Sequence, residues 1–135
     1  TDLGGETKYG ITKRFYPDVD IKNLTIEQAK QIYKDDYWDK NRVESLPQEL
    51  WHIFFDMCVN MGRGTAVKIL QRAANSKGKG LDVDGGMGPA TLNALNGIGV
   101  ERVRAYRVKY YVDLINAKPE QEKFYFGWFR RSISV

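Results

Sequence analysis

The chain has 135 residues, 42% of them hydrophobic and 28% charged, and a formal net charge of +4, a balance that suits one domain or two small lobes. No apolar run approaches the ~20 residues of a membrane helix, no basic-apolar-small signal peptide opens the chain, and the positive charge favours a polyanion without choosing one. One cysteine and one histidine exclude an intramolecular disulfide and a zinc site of the usual ligand count.

The opening stretch, Thr1 to Ile11, sets Asp2, Glu6, Thr7 and Tyr9 among Gly4, Gly5 and Gly10. Such a segment cannot bury an apolar face, and its glycines let the backbone turn through positive φ. It reads either as a site or as a polar tail. Phe15 to Asp20 reads as a loop around Pro17. Thr25-x-x-Gln28 then has the form of a capping box opening a helix from about Ile26 to Asp36, with Ile26, Ala29, Ile32 and Tyr33 as its core stripe. Tyr37 and Trp38, at the end of that helix, suit either packing or a wall for a sugar ring.

Pro47 begins the most apolar helix, about Gln48 to Met61, with Leu50, Phe54, Met57 and Cys58 on one face and Trp51, Phe55 and Val59 broadening it. Cys58 reads as a buried, inert thiol and His52 as a surface or interfacial residue. Asp56 and Asn60 share a face four residues apart, an unusual expense in an apolar helix. Either they line a saccharide groove or they cap a neighbouring backbone end. Gly62-Arg63-Gly64 ends the helix, and Thr65 can cap the next, about Ala66 to Ala74.

Asn75 to Gly80 is the clearest loop, a linker or an excursion inside one lobe. Asp82 to Gly88 lacks the glycine and glutamate that a calcium loop needs and reads instead as a turn into a helix from Pro89 to Leu95. The longest helix runs from Val100 to about Ala117, with Val103, Tyr106, Tyr110 and Leu114 on its inner face. Arg102, Arg104, Arg107 and Lys109 occupy the other faces, as a solvated surface rather than a binding stripe. Pro119 starts a last helical segment whose Phe124, Phe126, Trp128 and Phe129 can dock onto the core. No period-two pattern is sustained, so the fold class is all-α.

Asp2-x-Gly4-Gly5-x-Thr7-x-Tyr9-Gly10-Ile11 resembles the signature of glycoside hydrolase family 108, peptidoglycan-cleaving lysozymes of phages and bacteria, some known as secretion activator proteins. Tyr37-Trp38, Leu46-Pro47, Phe55-Asp56-x-x-x-Asn60-x-Gly62, Leu70-Gln71-x-Ala73, Val83-Asp84-Gly85-x-x-Gly88-Pro89-Ala90-Thr91 and Phe126-Gly127-Trp128-x-x-Arg131 follow that family in the same order. The resemblance implies a lysozyme-like catalytic lobe over residues 1–62 and a small helical peptidoglycan-binding lobe over residues 63–135. It also implies cleavage of the β-1,4 bond between N-acetylmuramic acid and N-acetylglucosamine, for cell lysis or for wall remodelling during secretion.

Glycoside hydrolysis takes a protonated carboxylic acid and a second group that stabilises the transition state or activates water. The resemblance assigns that second part to Asp2 and Thr7, with Glu6 able to share the work of Asp2, and gives Tyr9, Tyr37, Trp38, Asp56 and Asn60 to the substrate. The family's general acid lies in a Glu-Gly-Gly-Tyr segment that these 135 residues do not contain. The expectation is therefore a chain truncated ahead of that segment and inactive as it stands, or else a binding module that has lost its acid. No cofactor and no metal is expected, since phosphate-loop and nucleophile-elbow motifs are both absent from the sequence. The expected partner is the glycan strand, met at the wall or in the periplasm by a monomer with no stable membrane insertion, exported by an unassigned route such as a holin. A basic nucleic-acid binder is the remaining alternative; it would need its arginines clustered on one face.

Overall fold

The computed structural model describes residues 6–124, 126–127 and 129–130. It is mainly helical, and the chain forms two compact units that divide between Lys40 and Asn41. Among the described residues no helix is long and apolar enough to cross a membrane.

The first unit opens with a hairpin of β1 (Thr7–Lys8) and β2 (Ile11–Thr12), antiparallel, with Thr7 opposite Thr12 and Lys8 opposite Ile11. Both residues of its two-residue turn have positive φ, Tyr9 at 54° and Gly10 at 82°, the pattern of a type I′ turn, whose twist matches that of paired strands. Gly10 is also required by space: a Cβ there would meet the Tyr33 hydroxyl. Ile11 carries the hairpin into a small core with Ile21, Leu24 and Ala29, against which Tyr16, Val19, Ile32 and Tyr33 pack.

Helix α1 (Ile26–Tyr33) has the expected capping box: the Thr25 hydroxyl accepts from the Gln28 amide at 3.2 Å and the Gln28 side chain accepts from the Thr25 amide at 2.9 Å. Two expectations are corrected. The α-helical part stops at Tyr33 and widens into a π-helical stretch over Lys34–Asp39, the kind of local irregularity that often accompanies function. Ile26 is exposed rather than part of the stripe. At the first helical position its side chain leans back past the end of the helix, beyond the core that Ala29 reaches.

The second unit is built on α2 (Trp51–Met61), α3 (Arg63–Asn75) and α5 (Val100–Ala117), which pack on one another, with the short α4 (Pro89–Ala94) between α3 and α5 in sequence. A tight turn over Gln48–Leu50 follows Pro47 and leads into α2. Leu50, Phe54, Met57 and Cys58 are buried as the spacing requires, at roughly 1.5–3 kcal/mol for each large apolar side chain. Burial pushes the Cys58 thiol up to about 12, so it stays protonated and behaves as a small apolar group.

A single residue, Gly62 at φ 85°, separates α2 from α3. Arg63, Gly64 and Thr65 all lie inside α3, so the expected cap at Thr65 is corrected: one glycine at positive φ suffices for the break. The loop after α3 is closed by Asn75, whose side-chain amide donates to the Leu81 carbonyl at 2.8 Å and whose oxygen accepts from the Leu81 amide at 2.6 Å. α4 starts with Pro89 at its first position, as expected.

The inner face of α5 differs from the one expected. Val103, Arg107 and Tyr111 are buried, whereas Tyr106, Tyr110 and Leu114 are only half-buried. Arg107, expected on the solvated surface, is 1% exposed. The reason is a partner on α2: the Arg107 guanidinium donates to Asp56 Oδ2 at 2.7 Å, and an ion pair with hydrogen bonding is what lets a cation enter a core. After α5 a three-ten segment, Pro119–Phe124, continues the chain. Phe124, Phe126 and Phe129 are exposed, not docked; Phe126 keeps 69% of its surface and lies 5.7 Å from the Arg130 guanidinium. An exposed ring beside a cation retains favourable contact without entering a core.

Candidate active site

Of the residues singled out for chemistry, Asp2 lies outside the described residues. Glu6 and Thr7 are exposed at the head of the hairpin, where the Glu6 carbonyl accepts from the Lys13 amide at 2.9 Å and Thr7 begins β1. The start of the hairpin therefore presents an exposed carboxylate and an exposed hydroxyl on adjacent residues. Tyr9, at the turn, keeps 47% of its surface, and its ring lies 5.6 Å from the Lys8 ammonium.

Tyr33 connects this turn to the π-helical stretch. Its hydroxyl donates to the Tyr9 carbonyl at 2.9 Å, and its ring lies 5.7 Å from that of Tyr37, tilted by 35°. Tyr33 thus links the Tyr9 backbone to the Tyr37 ring, with Trp38 next in the chain and half-buried. The sequence assigned Tyr33 to the core stripe and missed this link; its only trace there is the four-residue spacing to Tyr37. The same π-helical stretch is anchored from behind by Tyr16, whose hydroxyl donates to Asp36 Oδ2 at 2.6 Å. Desolvation, then the hydrogen bond to Asp36 and its negative charge, push the Tyr16 phenol upward, so it remains a donor throughout the physiological range. Lys13 adds a third clamp, donating to the Val19 carbonyl at 2.8 Å.

Asp56 and Asn60 belong to the second unit. Asp56 lies at the Arg107 pair, and the Asn60 side-chain amide donates to the Asp56 backbone carbonyl at 2.7 Å, back along α2. Asn60 is exposed.

A second polar node, which the sequence did not single out, holds the loop before α4. Gln71 on α3 is 1% exposed. Its amide nitrogen donates to Asp84 Oδ1 at 3.0 Å, to the Gly86 carbonyl at 3.1 Å and to the Thr91 hydroxyl at 3.2 Å. Its oxygen accepts from the amides of Asp84 at 3.1 Å and Gly85 at 3.0 Å. One side chain bonds four groups of the loop and the Thr91 hydroxyl of α4, which is how an irregular segment is held against a helix. The bond from Gln71, helped by the Gly86 amide, holds the Asp84 carboxyl below the usual range.

Among the described residues no group of three histidine, cysteine, aspartate or glutamate side chains is arranged to hold a metal ion. What the first unit offers is an exposed carboxylate and hydroxyl at the start of the hairpin, together with the aromatic side chains of Tyr9, Tyr33, Tyr37 and Trp38.

Comparison with known proteins gives three findings. Residues 1–62 match the model of the family described as Glycosyl hydrolase 108, and residues 65–133 match that of a Predicted Peptidoglycan domain. The structure is similar to that of SagA from Brucella abortus, with a TM-score of 0.71 and 28% identity over 97% of this chain and 77% of that one. No protein with a curated description matches the chain.

Proposed function

Because the chain belongs to the Glycosyl hydrolase 108 family over residues 1–62 and to the Predicted Peptidoglycan domain family over residues 65–133, we propose that it serves to cleave the β-1,4 bond between N-acetylmuramic acid and N-acetylglucosamine. The observation that carries this reading is the pairing: a glycosyl hydrolase match followed at once by a peptidoglycan match, together spanning nearly all of the sequence. The substrate class is peptidoglycan, and the place of action is the cell wall or periplasm.

In the proposed mechanism the general acid is the glutamate of a Glu-Gly-Gly-Tyr segment ahead of Thr1. It gives its proton to the leaving oxygen, and Asp2, assisted by Glu6, stabilises the positive charge that develops on the sugar. Thr7 holds the attacking water. Its exposure at the head of the hairpin supports that role, because a hydroxyl already buried in a structural bond could not exchange partners. Tyr9, Tyr37 and Trp38 receive the sugar rings, with Tyr33 fixing the first two. In the second unit Asn60 is the substrate group, and Asp56 secures the helix that presents it through its pair with Arg107.

The test is release of reducing ends from purified peptidoglycan by two proteins, the 135-residue chain and the same chain preceded by a Glu-Gly-Gly-Tyr segment. The reading expects release by the longer protein alone. Robust cleavage by the 135 residues would move the acid into this sequence, and binding without cleavage by either protein would favour a binding module.

A further inference from the structure

The displaced inner face of α5 leaves three apolar or aromatic side chains unspent on the core. Tyr106, Tyr110 and Leu114 recur every four residues along one side of the helix, and with Lys109 and Asp113 of α5 and Arg72 of α3 they line a groove of about 400 Å³. Tyr106 also borders a second depression of about 630 Å³ toward the start of α5, lined in part by Ile98, Val100 and Arg102. The two share that residue. From Val100 to Leu114 the helix rises roughly 21 Å, so the surface is long and narrow rather than a compact pocket.

We propose that this face of α5 is where the second unit holds peptidoglycan: the tyrosines receive the sugar rings and Arg72 with Lys109 receives the carboxylates of the peptide stems. The proposal rests on the peptidoglycan reading above and adds to its substrate residues an extended binding face on the second unit. Three features of the groove support it. Tyrosine offers a flat apolar face with a polar edge, which suits a ring bearing hydroxyl and acetamido groups. Tyr110 is held in orientation by the buried Tyr111, the two rings meeting edge to face at 5.4 Å and 66°, so little order must be gained on binding. The charge is suitable as well. Lys109 pairs with Asp113 at 3.0 Å, but both side chains are about 60% exposed, and such a pair is weak enough to yield its cation to an incoming anion. The exposed Arg72 adds a planar guanidinium able to grip a carboxylate with two parallel hydrogen bonds.

The experiment is a binding titration of the 135-residue chain with soluble glycan strands that carry peptide stems, and with the same strands after an amidase has removed the stems and the lactyl carboxylates so exposed have been converted to primary amides. The double variant Tyr106→Ala/Tyr110→Ala should bind both strands at least tenfold more weakly than the parent. Arg72→Gln should weaken binding to the stem-bearing strands by about tenfold, the equivalent of one charge-assisted bond, and leave the stripped strands unaffected. Arg72 is exposed, so this variant is expected to keep the parent's thermal midpoint and remains informative if the tyrosine variant proves unstable. Parental affinity in the tyrosine variant would overturn the groove. Equal weakening toward both strands by Arg72→Gln would overturn the stem assignment. A parent that binds neither strand would instead remove the peptidoglycan reading itself, and the groove with it.

Discussion

The two units are held together by different means. In the first, four buried side chains, Ile11, Ile21, Leu24 and Ala29, make up the core cluster, and the backbone is fixed largely from outside by long polar side chains: Tyr33 on the Tyr9 carbonyl, Tyr16 on Asp36, Lys13 on the Val19 carbonyl. In the second, buried faces of α2, α3 and α5 interlock, and polar side chains act from within, Gln71 on a loop and Arg107 on Asp56. A thin core leaves its backbone and hydroxyls near solvent, where a substrate can reach them. A thick one gives precision to a surface but keeps its polar groups occupied. The chemistry is accordingly expected in the first unit and the adhesion in the second.

The sharpest way to break that division is Thr7→Val in a protein carrying the Glu-Gly-Gly-Tyr segment. The change keeps the shape and removes the hydroxyl. Turnover on peptidoglycan should fall ~10²–10⁴-fold, the usual worth of general-base or positioning help, while the thermal midpoint holds and Thr7→Ser retains more activity. An unchanged rate would make Thr7 structural and return the work to Asp2 and Glu6.

The largest effect on stability should come from the other unit. Asp56→Ala removes the carboxylate paired with the buried Arg107 guanidinium, and removal of one member of a buried pair costs about 3–5 kcal/mol, read as a lower midpoint in urea. Asp56→Leu combined with Arg107→Met should recover most of that loss, since an apolar replacement of similar volume leaves no charge to be neutralised in the core. A double variant as unstable as the single one would show that the pair does more than neutralise itself.

Smaller effects sharpen the comparison. Gln71→Leu leaves the amides of Asp84 and Gly85 without their acceptor and should cost ~1–3 kcal/mol, with faster proteolysis confined to residues 82–88. Gly10→Ala places a methyl group against the Tyr33 hydroxyl at a backbone angle disfavoured for alanine; about 1–2 kcal/mol is expected. The thin-cored unit should show this as local loosening, measurable as amide exchange in residues 7–12, rather than as global unfolding.

The smallest effect is that of acid. The folded state holds Asp84 below its ordinary value through Gln71, and Asp20 through the Asn23 amide. A depressed carboxyl stabilises above its unfolded pKa of about 3.9 and loses that contribution as pH falls through the folded value. Stability from these groups should therefore be flat above about pH 5 and decline below about pH 4. In Gln71→Leu the Asp84 part of that decline should shrink, with the Gly86 amide sustaining the remainder.

The sequence reveals structure that is encoded locally and conceals what depends on distant partners. The Thr25–Gln28 capping box, Pro47 at the entry to α2, Pro89 at the start of α4 and the limits of α5 could all be read from a few neighbouring residues. The buried Arg107 could not, because the carboxylate that makes it tolerable stands 51 residues earlier. For the same reason periodicity turned α5 toward its tyrosines: hydrophobic character alone ranks Tyr106 and Tyr110 above an arginine. Tyr33 was legible as a core residue but not as the link between Tyr9 and Tyr37, since its bond is to a backbone carbonyl that carries no side-chain signature. The exposed aromatics after Pro119 have the composition of a core, and only the structure shows them unburied.

One residue has an effect on how the chain reaches this state. Gly62 turns the backbone between α2 and α3 with no intervening loop, so the contacts between these two helices close almost no loop and require little chain entropy before they form. The Asp56–Arg107 pair, spanning 51 residues, closes a long one. The α2–α3 pair is therefore expected to assemble early and to serve as a template, with α5 arriving afterwards and its buried cation meeting a carboxylate already in place. Substitutions in the Gly62 region should slow refolding, whereas Arg107→Met should chiefly alter the rate at which the native state opens.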